Sequence, residues 1–184
     1  PLPFRGGQYV IIDTGLELPD GRPRKRAYSM LSPDTDTRRF ELGVYHLPSG
    51  EAADYLCNLP LGAAIRFSGP WGKLHVPEQL ARRAGPVWVI ASDSGASAAL
   101  GLVRSQAFAA LGERTALWHF RAGRDAFLSD AFVRERVPHA IRFEHAPIAA
   151  VHAPLRAAEL GHFLKQRLHS EGRPAQVYLC GDGA

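Results

Sequence analysis

The hydrophobic pattern changes character at Pro86, and no other feature constrains the fold as strongly. Upstream, short β-like runs over residues 8–12, 26–30, 40–45 and 64–68 are separated by turns rich in Gly, Pro and Asp. Even spacing of that kind predicts a small antiparallel barrel or sandwich. Phe40, Leu42 and Val44 alternate with Glu41 and Gly43, as in a strand with one buried face. A helical turn is expected over residues 52–59. Downstream, residues 87–91 form a continuous apolar run, the pattern of a strand covered on both faces. Helices are expected over 96–111, 125–136 and 155–169, with further strands over 115–120, 141–144 and 176–180. Strands alternating with helices imply βαβ units and a parallel sheet. The prediction is a two-lobed chain: an N-terminal antiparallel β-barrel over residues 1–80, a linker over 77–85, and a C-terminal α/β lobe over 86–184.

Composition narrows the function classes. The chain has 184 residues, 46% of them hydrophobic, an ordinary balance for a soluble globular protein. Apolar runs are far shorter than the ~20 residues of a membrane-spanning helix. The net charge of +4 is mild; it suits long-range capture of phosphorylated cofactors or an acidic partner. Lys and Arg are not concentrated with aromatics on one element, which disfavours nucleic acid. The two cysteines, Cys57 and Cys180, make neither a disulfide framework nor a four-cysteine iron–sulfur site, so a reduced cytoplasmic protein is expected. The eight histidines match no zinc spacing, and no metal site is expected. The chain opens on Pro1 and runs straight into a strand-like segment, so it is expected to be incomplete at its N-terminus, and equally at its C-terminus.

Four segments carry candidate chemistry. In Arg26-Ala27-Tyr28-Ser29 the arginine and tyrosine share one face of a strand, offering a cation and an aromatic plate to a ligand that is both phosphate and flat ring. Read alone, it fits an ordinary surface strand as well. Gly50 precedes the helical turn carrying Glu51, Ala52 and Ala53, where free backbone N–H groups can meet a phosphate. Gly69-Pro70-Trp71-Gly72 closes the β-rich half as a tight turn. Residues 92–97, Ser92-Asp93-Ser94-Gly95-Ala96-Ser97, lie between a buried strand and a long helix, where parallel sheets bind dinucleotides. The last strand brings Cys180-Gly181 to the same sheet edge as Ser92.

In this order the segments resemble the ferredoxin–NADP reductase superfamily, especially the reductase components of bacterial oxygenases. Phe4-Arg5-Gly6-Gly7-Gln8-Tyr9 resembles its F-x-x-G-Q-Y strand, Arg26 to Ser29 its R-x-Y-S flavin motif, and Gly69 to Gly72 its G-P-x-G turn. Residues 92–98 take the place of its T-G-T-G-I-A-P loop, and Cys180-Gly181 that of its C-G pair. The resemblance implies a flavoprotein passing electrons from NAD(P)H through FAD, or alternatively FMN, to a ferredoxin-like or oxygenase acceptor. It implies Arg26 on the flavin phosphate, Tyr28 on the isoalloxazine, Ser29 near N5, and Gly50 to Ala53 on the pyrophosphate. Ser92, Ser94, Gly95 and Ala96 would cradle the pyridine nucleotide, with Cys180 and Gly181 by the nicotinamide and Arg121 and Arg124 by the ribose. Ser29 and Cys180 would be the catalytic pair. Asp93 stands where the family carries glycine, and its carboxylate is expected to repel phosphate.

Two other readings compete. Gly95-Ala96-Ser97-Ala98-Ala99 is similar to a serine-hydrolase nucleophile elbow, with His145 or His152 as base, although Ser97 is expected inside the helix. Asp93 also admits a non-catalytic flavin- or nucleotide-binding module of the same fold.

Overall fold

The computed structural model describes residues 1–47, 50–123 and 127–181. Three antiparallel strands, β1 (Tyr9–Glu17), β2 (Pro23–Ser29) and β3 (Arg66–Trp71), form a sheet in the order β2-β1-β3. Helix α1 (Glu51–Cys57) packs beside β1 and β2. Four parallel strands, β4 (Val87–Ser92), β5 (Thr115–Arg121), β6 (Arg142–Pro147) and β7 (Gln176–Cys180), form a second sheet in the order β6-β5-β4-β7. Between them run α2 (Ala96–Val103), α3 (Gln106–Ala109), α4 (Asp130–Arg136) and α5 (Arg156–Glu171). The two-lobed expectation, antiparallel first and parallel second, is what the chain adopts.

Strands β4 and β5 are buried at almost every position because both sheet faces are covered. Val87, Val89, Ala91 and Leu117 pack with Leu100, Leu102, Val103 and Phe108. Trp88, Ile90, Trp118 and Phe120 face the other way, onto Leu160, Phe163 and Leu164 of α5. A third cluster, Phe4, Val10, Ile12 and Met30, sits in the β lobe. Leu31, two residues past Ser29, belongs to the α/β core instead, so the lobes share buried surface.

Three local expectations need correction. Residues 40–45 form no strand; only Leu42 bridges to Met30, while Phe40 packs edge-on against Phe67 and Tyr45 against Phe127. Side-chain packing, including a Phe127 ring pressed close on Gly43, has replaced the ladder. The helix expected over 96–111 breaks at Ser105, whose extended backbone and Oγ cap α3 by accepting the Phe108 N–H. The helix expected from residue 125 starts only at Asp130, since Ser129 caps it by accepting the Phe132 N–H; residues 124–126 lie outside the described residues.

Leu100 is fully buried at the centre of the first core cluster. Truncation there leaves a cavity that the packed helix and sheet cannot close. Leu100→Ala is expected to cost about 2–5 kcal/mol, read as a lower urea midpoint with an unchanged slope.

Candidate functional site

Strand β4 is the first of the parallel sheet, yet its neighbours are β5 on one side and β7 on the other. The chain winds outward from β4 to β6, then returns across to β7. This reversal opens a crevice at the carboxyl ends of β4 and β7, the general ligand position in open α/β sheets. Ala91 pairs with Cys180 in register, so Ser92 and Gly181 emerge side by side.

Close packing on the two sides of the crevice leaves little room for a side chain at Gly95 or Gly181. A Cβ at Gly95 would collide with the Cys180 carbonyl and Gly181 nitrogen, and a Cβ at Gly181 would collide with Ser92 Oγ. The loop after β4 and the end of β7 are therefore in backbone contact, and Ala96 starts α2 at once. Ser92 and Ser94 keep partial or full exposure there. A cavity of about 630 Å³ opens beside this edge, bordered by Ser92, Cys180 and Gly181 together with Phe120, His152 and Arg156.

Asp93 adopts a left-handed backbone (φ 45°), the conformation glycine takes without strain. Its side chain offsets that cost. Oδ1 accepts the Ala122 N–H at 2.9 Å and Oδ2 accepts Arg156 Nη2 at 2.9 Å. The carboxylate is thus matched by a cation and tied to the end of β5 and the start of α5, so the repulsion expected from sequence is offset within the protein. Arg156 is the residue sequence reasoning missed; its signal is a lone arginine at the start of a helix, 63 positions away.

Cys180 is only 7% exposed, and burial pushes its thiol up to about 12. It is held as a neutral, weakly polar group, not a thiolate. Arg121 does not line the cavity: it lies 3.2 Å from Asp130 Oδ1. Arg124 lies outside the described residues. His119 is 1% exposed beside this pair, neither ring nitrogen has a hydrogen-bond partner, and burial lowers its pKa. The elbow reading fails on geometry. Ser97 is 5% exposed inside α2, its hydroxyl donates to the Ser94 carbonyl, and His145 is paired with Asp130.

In the β lobe, Arg24, Arg26 and Tyr28 share one face of β2. Arg24 pairs with Glu51 at 2.7 Å, which brings the start of α1 against the strand and groups Gly50 to Ala53 with the Arg26–Ser29 motif. Arg26 and Ala27 are exposed; Tyr28 and Ser29 are half-buried. Burial raises the Tyr28 hydroxyl's pKa, with the Arg26 charge opposing it.

The two groups of residues meet through α2. Its first residues carry the Gly95 loop, and Gly101 touches the Met30 carbonyl, one residue past Ser29. At 1.5 Å per residue, about 8 Å of helix axis separates Ala96 from Gly101.

Residues 1–76 match the family model described as an oxidoreductase FAD-binding domain. The chain has the ferredoxin reductase fold. It is 34% identical over 104 residues to the reductase component DmpP of phenol 2-monooxygenase from Pseudomonas sp. (strain CF600), an alignment covering 56% of this chain and 27% of that relative. The chain thus spans well under half the length of the curated relatives it matches. Two solved ferredoxin-NADP+ reductases superpose on nearly all of it. The Plasmodium falciparum enzyme with 2'P-AMP has a TM-score of 0.70 at 15% identity, covering 99% of this chain and 76% of that one. The Neisseria gonorrhoeae enzyme with bound FAD and NADP has a TM-score of 0.68 at 17% identity, covering 99% and 75%. No helix of this ferredoxin reductase fold, among the described residues, is long and apolar enough to cross a membrane.

Two solution measurements test this geometry. Exposed Cys57 should react readily with iodoacetamide in the native protein while buried Cys180 labels only on unfolding; rapid labelling of both would contradict the neutral, enclosed thiol. For His119, the depressed folded pKa means the unfolded chain binds the proton more readily below about pH 6.5. Stability should therefore fall as pH drops from 7 towards 5, and His119→Leu should flatten that decline in melting temperature.

Proposed function

We propose that this chain is the flavin- and nicotinamide-binding part of an NAD(P)H-dependent flavoprotein reductase that delivers electrons to a ferredoxin-like, iron–sulfur or oxygenase partner. The observation that carries the reading is the switch-point crevice between Ser92 and Cys180-Gly181, coupled by one helix to the strand end bearing Tyr28 and Ser29.

The residues fit the two cofactors. Arg26 is an exposed cation beside the half-buried ring of Tyr28, and Arg24 draws the backbone of Gly50 to Ala53 alongside them. This grouping suits a dinucleotide flavin: phosphate to the arginine, ring to the tyrosine, pyrophosphate to the start of α1. FAD is favoured over FMN because the Gly50–Ala53 group adds a second phosphate position. On the other lobe, Gly95 lets the loop after β4 lie against the Cys180 backbone, and the small residues Ser92, Ser94 and Ala96 beside it leave room for a nucleotide.

Bound together, the cofactors supply hydride transfer from nicotinamide to flavin, after which the flavin can pass electrons on singly. The chain's own work is placement and exclusion of water. Tyr28 would hold a bound ring against its own, and Ser29 would offer it a hydroxyl. Cys180, kept neutral by burial, presents a compact thiol that neither attacks the ring nor brings a charge to it. Reacting atoms must approach to about 3–3.5 Å, which demands that both half-sites be held rigidly. Arg121 is paired with Asp130.

The full-length protein should be yellow as purified, and its flavin bands should bleach on anaerobic addition of NADH or NADPH. Flavin that is bound but not reduced would favour the non-catalytic module, and a colourless protein would defeat the reading. Arg26→Ala and Tyr28→Ala should each lower flavin content; full retention in both would count against the assignment. Cys180→Ala should slow reduction while leaving flavin bound.

A further inference from the structure

The lobes are joined by a seam in which backbone touches backbone. A Cβ at Gly101 of α2 would collide with the carbonyl oxygen of Met30, and one at Gly6 would collide with the carbonyl of Gly101 itself. Met30 is fully buried, its N–H donates to the Gln8 carbonyl at 3.0 Å, and it directly follows Ser29. The seam is reinforced on either side. Asp34 accepts the Gly6 N–H at 3.0 Å and the Gln106 N–H at 2.9 Å, one carboxylate spanning both lobes. Arg104 Nη1 donates to the Leu31 carbonyl at 2.8 Å.

Helix α2 therefore has two fixed ends. At its start, Gly95 abuts the Cys180 and Gly181 backbone; near its end, Gly101 abuts Met30. A one-methyl change at Gly101 cannot be absorbed by a side-chain rotation, because the atoms facing it are main chain. The helix must shift, and both cofactor half-sites shift relative to one another.

We propose that Gly101 is a positioning residue for hydride transfer: its missing side chain sets the separation between the flavin strand and the nicotinamide loop. The inference rests on the reductase reading above. It goes further in assigning the catalytic distance to a contact that touches neither cofactor. Misplacement by about 1 Å can cost on the order of 100-fold in rate, so a methyl group here acts on chemistry more than on cofactor binding.

The test compares wild-type full-length protein with Gly101→Ala, Asp34→Asn and Gly161→Ala. Gly161 lies in α5 with open space around its Cβ position, so its substitution controls for the added methyl. Flavin content, melting temperature, the KM for NADH, the charge-transfer absorbance on mixing and the stopped-flow rate of flavin reduction are read for each. Gly101→Ala should retain flavin and KM within about threefold, lose charge-transfer absorbance and reduce flavin at least about tenfold more slowly. Gly161→Ala should match wild type. Should Gly101→Ala fail to fold, Asp34→Asn loosens the same seam without a collision and should slow reduction several-fold with flavin retained. A folded, flavin-loaded Gly101→Ala at the wild-type rate overturns the proposal, as does an unaffected Asp34→Asn where the first variant does not fold. Wild-type protein that lacks flavin or does not bleach overturns the reductase reading and this inference with it, whereas a variant-specific outcome bears on the seam alone.

Discussion

Backbone-to-backbone contact along α2 is the constraint on which the arrangement depends. Helices usually pack through side chains, whose rotations absorb small errors. Here Gly6, Gly101 and the Met30 carbonyl are stacked with no intervening side chain. The flavin-like strand cannot move without displacing the helix, nor the helix without displacing the loop after β4. Sharing of the core by Leu31, Leu74 and Val76 adds buried apolar area to the same junction. Independent lobes would move against each other by default; this seam removes that freedom where alignment matters most.

The α/β lobe achieves its crevice with little local specialisation. Strands β4 and β5 are buried because helices cover both of their faces, and the crevice follows from strand order alone. What is specific is the filling of its edge: small residues at 95 and 181, a neutral thiol at 180, and a cavity to one side. The β lobe contributes charge and an aromatic surface. Its candidate residues are grouped by the Arg24–Glu51 pair, an interaction invisible in any motif.

Much of this was legible in the sequence because it depends on period and on chain order. The continuous run at 87–91 announced a doubly covered strand, and the change at Pro86 announced two lobes. Ser92 and Cys180 were read from sheet topology as lying on one sheet edge, and they do. Other features were hidden for physical reasons. Alternation at residues 40–45 looked like a strand, but partners for its ladder were lost to aromatic packing with Phe67 and Phe127. The break at Ser105 depends on an N-cap in which its Oγ accepts the Phe108 N–H, a local bond that the Ala/Leu-rich pattern does not reveal. The pairing of Arg121 with Asp130 was not legible, because it depends on how the end of β5 meets the start of α4. Gly101 was read as one more residue of an Ala/Leu-rich helix, since glycine carries no side chain to signal what it touches.

Asp93 has a consequence for how this chain can vary. Its carboxylate joins the end of β5 to the first turn of α5, across three otherwise separate segments. Replacing it by glycine would relax the backbone yet remove the carboxylate that meets Arg156 beside the cavity; replacing Arg156 would take the cation from that carboxylate. The two positions are energetically coupled, and a substitution at either acts on both.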